Sequence, residues 1–148
     1  MDQGTLGKIA AILNAGSTNY SVFLKLYEVQ LGSQIDSTAI VQMVLGTGAV
    51  LGGIEEVQSG SVWPEVMEAV LYVGDSSAGP SSTALKSGQF TSLVELLKAQ
   101  VDTMVKTSAT IETFWLSNGH PAYPVFWDFA FLFRTDATAT IFIGASSD

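Results

Sequence analysis

The chain has 148 residues, 14 acidic against six basic side chains, a net charge of −8 and no cysteine. Six scattered cations cannot displace the counterions of a phosphate backbone or mark an anionic lipid surface, so nucleic acid and membrane are excluded as partners. Without thiols there is no disulfide framework, thiolate metal site or cysteine nucleophile.

The length suits one soluble domain spanning residues 1–148 with a real core. Only 14% of the residues are charged, against roughly 25% in an average soluble domain. The surface must therefore be largely neutral and polar, a coat that also suits a standing partner or a homo-oligomer.

Met1-Asp2-Gln3-Gly4-Thr5-Leu6-Gly7-Lys8 has no basic region followed by an apolar core, so the cytoplasm is the expected compartment. Asn19-Tyr20-Ser21 matches a glycosylation acceptor that has no use there. The spacing predicts a short helix over Thr5 to Leu13, ending near Asn14-Ala15-Gly16. Over residues 20–31, Phe23, Tyr27 and Val29 fit period two, while Val22, Phe23, Leu26 and Tyr27 fit a helix face; a helix is the expectation.

From Ser37 to Ile54 the chain is uncharged. Within it, Gly46, Gly48 and Gly52 form G-x-G-x-x-x-G, which resembles the dinucleotide-binding fingerprint of Rossmann folds and would imply a pyrophosphate held at a helix N-terminus. The spacing departs from that fingerprint and no alternating βα pattern follows, so no cofactor is assigned. Gly48 and Gly52 also have the spacing of close-packed membrane helices, but the stretch is barely long enough to span and lacks basic or aromatic flanks. A buried helix ending at the glycines is expected.

Glu55, Glu56, Glu65 and Glu68 form no recognised ligand pattern, and no metal is assigned. Val62 to Val73 reads as a helix with Pro64 in its first turn and Val66, Val70 and Val73 on one face. Leu71-Tyr72-Val73-Gly74-Asp75-Ser76-Ser77 resembles the strand-to-serine turn of GDS-type esterases, which would imply an acyl nucleophile at the serine. The Asp-x-x-His that activates it in that family is absent here, because the sole histidine, His120, follows Ser117-Asn118-Gly119. A Gly/Ser/Pro-rich surface loop is expected at about 74–89.

Ser92-Leu93-Val94-Glu95 has the capping-box form, and Leu93, Leu97, Val101, Met104 and Val105 recur at helical spacing. Glu95 with Lys98, and Asp102 with Lys106, are spaced as surface ion pairs. From Thr110 the period becomes that of strands, over Thr110 to Leu116, Val125 to Arg134 and Thr138 to Ile143, with Val125, Trp127, Phe129, Phe131 and Phe133 on one face. The expected fold is α+β, with helices mainly N-terminal and a C-terminal three-stranded antiparallel β-meander whose one face packs on them.

No nucleophile, base and orienting group occur together, so no catalytic residue is assigned. Asn118-Gly119-His120-Pro121 reads as a turn. Trp115, His120, Tyr123, Trp127 and Asp128 are the candidate binding residues, an aromatic patch with the one histidine and a carboxylate. The expected function is a non-catalytic acidic interaction module that docks to, or neutralises, a basic protein. The alternative is a small-molecule site or small enzyme using His120 with Asp128 in an aromatic pocket walled by Trp115.

Overall fold

The computed structural model describes residues 1–148. Helix α1 (Gln3–Asn14) starts where the Asp2 carboxylate accepts from the Thr5 amide at 2.8 Å and stops two residues before Gly16, whose φ is 68°. Its Leu6, Ile9 and Leu13 are wholly buried, the i, i+3, i+7 stripe of an amphipathic helix. Strand β1 (Ser21–Gln30) follows, then α2 (Ser37–Leu45), β2 (Val50–Glu56), α3 (Ser59–Val70), a short α4 (Ser82–Leu85) and the long α5 (Gly88–Thr107). Strands β3 (Thr110–Asn118), β4 (Trp127–Arg134) and β5 (Thr138–Ser147) complete the chain.

All five strands form one antiparallel sheet in the order β1-β5-β4-β3-β2. This corrects the expected architecture. The sheet is not a three-stranded meander, because β1 is added beside β5 and β2 beside β3, and the helices are not mainly N-terminal but interleave with the strands. Residues 20–31 fit both periods because β1 has apolar residues on both sides, Val22 and Leu24 in one layer and Phe23, Tyr27 and Val29 against the other. Pairing across the length of the chain, Lys25 opposite Ile143 and Leu26 opposite Phe142, decides for the strand. The uncharged stretch divides in two: α2 stops at Gly46, where φ is 98°, and β2 begins four residues later.

Helices also lie on both faces rather than one. Leu6, Ile9 and Leu13 of α1, Val62, Val66 and Val70 of α3, and Phe90, Leu97 and Val101 of α5 close over Val22, Leu24, Ile111, Phe129, Phe131, Phe133 and Phe142. The side chains of Trp127, Phe129, Phe131 and Phe133 form a ladder along β4, with centroid spacings of 6.1, 5.9 and 6.2 Å, and Phe142 meets Phe129 edge-on at 4.9 Å. On the other face Ile40 and Val41 of α2 cover Phe114, Ala130, Leu132, Ile141 and Ile143. Arg134 fastens this second layer: its Nη2 donates to the Ile35 carbonyl at 2.7 Å and its Nη1 to Ser37 Oγ at 2.9 Å, while Ser37 Oγ donates to Glu112 at 2.6 Å.

Three local expectations shift. α5 is capped by Ser87, whose hydroxyl accepts from the Phe90 amide at 3.2 Å, so the helix starts a turn before Ser92. α3 begins at Ser59, five residues before Pro64. The Gly/Ser/Pro-rich segment contains α4 and is tied down, with Ala78, Gly79 and Pro80 buried and Gly79 bridged to Thr18.

One irregularity of the sheet positions the candidate site. β3 pairs with β4 only from Thr110 opposite Arg134 to Thr113 opposite Phe131; beyond that it follows β2 alone. The first half of β4, Trp127 to Ala130, is thus flanked on that side by no strand, which leaves Asp128 exposed.

Candidate functional site

α3 crosses this unflanked part of β4. Its residues Glu65, Glu68 and Ala69 stand at i, i+3 and i+4, so they share one face, and Tyr72 follows two residues past the helix end. They confront Phe126, Trp127 and Asp128 across a groove of about 360 Å³. Three carboxylates and three aromatic side chains line it, and no Lys, Arg or His does.

The aromatic wall is held from behind. Tyr20, Tyr72 and Phe126 pack on one another with centroids 5.8 to 6.0 Å apart, and the Trp127 indole Nε1 donates to the Tyr20 hydroxyl at 2.9 Å. Burial pushes the Tyr20 phenol above its ordinary range, so it stays a neutral hydroxyl and a fixed acceptor. On the acidic side, burial first, then the charges of Asp128 and Glu68, push the Glu65 carboxyl up. Negative charge is gathered here without a counter-charge; the one ion pair of the chain, Lys98 with Asp102, lies on α5.

Of the residues singled out from the sequence, Trp127 and Asp128 meet in this groove. Trp115 does not: it sits on β3 opposite Gly53, its indole lying over Gly52 and Gly53, and is 51% exposed. His120 belongs to its own turn, where Nδ1 lies 3.0 Å from the Ala122 amide and 2.9 Å from the Ala122 carbonyl, while Nε2 is buried without a partner. Tyr123 is 79% exposed, and its backbone carbonyl accepts from Ser147 Oγ. No cavity is lined by both His120 and Asp128. Glu65, Glu68, Tyr72 and Phe126 were not singled out as binding residues. The helical spacing of Glu65 and Glu68 was the available signal, but it acquires meaning only once β4 is placed beneath it.

The serine turn has a structural explanation. Asp75 Oδ1 accepts from the Ser77 amide and hydroxyl, both at 2.7 Å, and from the Ala78 amide at 3.1 Å, which holds this carboxyl below its usual range. Gly74, with φ of 69°, brings the backbone against Ala78 and Gly79, where a Cβ would collide with main-chain atoms. No three His, Asp or Glu side chains converge to hold a metal ion, and no helix is long and apolar enough to cross a membrane. Comparison of the chain with protein-family models, with curated proteins and with solved structures finds no match.

Proposed function

We propose that this chain is a non-catalytic, acidic interaction module, cytoplasmic in setting, that docks a basic protein by taking a cationic side chain into the groove between α3 and β4. The observation that carries this reading is the lining: Glu65, Glu68 and Asp128 face Tyr72, Phe126 and Trp127 with no internal cation among them. A Lys or Arg entering it offsets the Asp128 and Glu68 charges that add to burial in raising the Glu65 carboxyl, and it gains an aromatic neighbour. An aromatic contact with a cation contributes about 0.5–1 kcal/mol at an exposed site, and a charged hydrogen bond about 1.5–3 kcal/mol. The groove alone therefore supports weak recognition, to which the net charge of −8 adds steering of a basic partner.

The test is titration of the isotope-labelled chain with capped peptides carrying one Arg, one Lys or an uncharged norleucine at the same position. The reading expects shifts at the Trp127 indole N–H and around Tyr72 with the cationic peptides alone, lost in Glu65→Gln/Glu68→Gln/Asp128→Asn. Equal response to norleucine, or a triple variant that still binds, overturns it.

A further inference from the structure

The two edges of the sheet are treated differently. Along β1, the outer edge is occupied by side chains of α1. Gln3 Nε2 donates to the Leu24 carbonyl at 3.1 Å and Gln3 Oε1 accepts from the Leu26 amide at 2.9 Å; Asn14 Oδ1 accepts from the Val22 amide at 2.7 Å and Asn14 Nδ2 donates to the Val22 carbonyl at 3.4 Å. Two carboxamides, each a donor beside an acceptor, stand where another strand would pair. β2 has no such cover. It pairs with β3 alone, its side-chain bond comes from Ser117 to the Val50 carbonyl, and no helix supplies partners to its outer side.

The chemistry around this open edge is one-sided. Glu55 and Glu56 end β2, Glu112 stands directly opposite Glu56, and neither β2 nor β3 contains a Lys or Arg. Directly opposed like charges on neighbouring strands destabilise a pair, and here Glu56 has no cation to offset them. On the other face Glu55 lies next to the Trp115–Gly53 pair, and the two glycines let the indole lie flat with its outer side in solvent.

We propose that the outer edge of β2 takes an extended basic segment of the partner as a sixth strand, with alternate cations directed to Glu56 on one face and to Glu55 and Trp115 on the other. The inference rests on the reading of a basic partner and adds the mode of contact. Backbone pairing supplies affinity in strand addition, and alternate side chains supply selectivity. Charge selects the occupant. A second copy carries the same −8 and would add its own acidic residues to Glu55 and Glu56, whereas a basic segment meets opposite charge. Those same acidic residues hold a basic segment.

The test uses the full chain and an alternating Lys–Thr peptide matched to the seven residues of β2, with a Glu–Thr counterpart and a Lys–Thr peptide N-methylated at alternate positions. Amide exchange within Gly52 to Glu56 is expected to slow about tenfold with the Lys–Thr peptide, as new backbone bonds form, and β1 is expected to remain unchanged. Glu55→Gln/Glu56→Gln should weaken binding about tenfold, while Glu65→Gln/Glu68→Gln/Asp128→Asn leaves the protection of β2 intact. Loss of binding on N-methylation supports strand addition. Four results overturn it: equal binding of the N-methylated peptide, protection confined to the α3 groove, no binding of the Lys–Thr peptide, and slowed β2 exchange that grows with protein concentration alone, which would identify a second copy as the occupant. Lys–Thr binding lost in the α3 variant but not in Glu55→Gln/Glu56→Gln is the second of these results and sinks the edge, while the groove stands or falls separately with the single-cation peptides.

Discussion

The covering of β1 by side chains is open to direct measurement. Asn14→Ala removes both partners of Val22, a buried residue, so the Val22 amide and carbonyl lose their bonds at a place water reaches poorly. A buried donor left unpaired costs about 1–3 kcal/mol, and the better helix propensity of Ala returns about 0.5 kcal/mol, which sets the expected loss near 1–2 kcal/mol. Gln3→Ala breaks two bonds nearer solvent, where water can replace the side chain, and should cost about 1 kcal/mol. The two side chains are eleven residues apart on α1, roughly 16 Å, and share no partner, so the double variant should lose the sum, about 2–3 kcal/mol. Asn14→Asp separates the two halves of the contact: it keeps the acceptor for the Val22 amide and sets a carboxylate against the Val22 carbonyl, giving an intermediate loss. Urea unfolding followed by tryptophan fluorescence reads all four, with unchanged m-values. The double variant should also associate as concentration rises in sedimentation velocity, because an uncovered edge recruits strands. A double variant within about 0.5 kcal/mol of wild type that stays monomeric would refute the idea that these amides guard the edge.

Glu65→Gln tests the electrostatics of the groove. Because the folded-state carboxyl is raised by burial and by Asp128 and Glu68, the native chain holds this proton to higher pH than the unfolded chain, and stability falls as pH rises from the unfolded through the folded pKa. The neutral variant should therefore be more stable than wild type at neutral pH, by less than about 1 kcal/mol since Glu65 is only partly withdrawn from solvent and its charge is screened, and the advantage should vanish in acid. Thermal melts across that range decide, and a variant that is less stable at neutral pH contradicts the assignment. Gly144→Ala places a Cβ 2.6 Å from Phe129 Cζ and 2.8 Å from Leu24 Cδ2, so it should destabilise by about 1–3 kcal/mol in chemical denaturation, partly restored by Phe129→Leu.

The legible parts of the fold are those in which one face of an element meets solvent. α1 and α5 show their stripes, Leu6-Ile9-Leu13 and Phe90-Leu97-Val101, because their outer sides are polar, and local spacing suffices to find them. β4 and β5 were found from their density of aromatic and β-branched residues. What spacing could not resolve is β1, where Val22 and Leu24 face one layer and Phe23 and Tyr27 the other, so helix and strand templates score alike. β2 is hidden differently: its glycines and two terminal glutamates resemble a loop, and only the room they leave for the Trp115 ring explains them. The buried helix ending at the glycines is α2, but with those two strands missed its place over the second face of the sheet was not foreseen.

The candidate site was half visible for a related reason. Trp115 and Trp127 flank the same connection, and a regular hairpin would set them on neighbouring strands over a shared surface. Pairing between β3 and β4 ends at Thr113 and Phe131, so the two indoles separate, Trp115 travelling with β2 and Trp127 remaining with β5. Beyond Thr113 the apolar residues of β3, Phe114 and Leu116, belong to the layer under α2, whereas Trp127 and Phe129 of β4 belong to the layer under α1, α3 and α5. The intervening turn, with Gly119 held against Gly48 and His120 bonded to Ala122, is long enough to let the strands part. The opening exposes Asp128 beneath Glu65 and Glu68, and it sends Trp115 to the opposite edge beside Glu55. Each tryptophan thus acquires its own acidic neighbours, which makes two separate aromatic and acidic surfaces in place of the single patch that the sequence suggested.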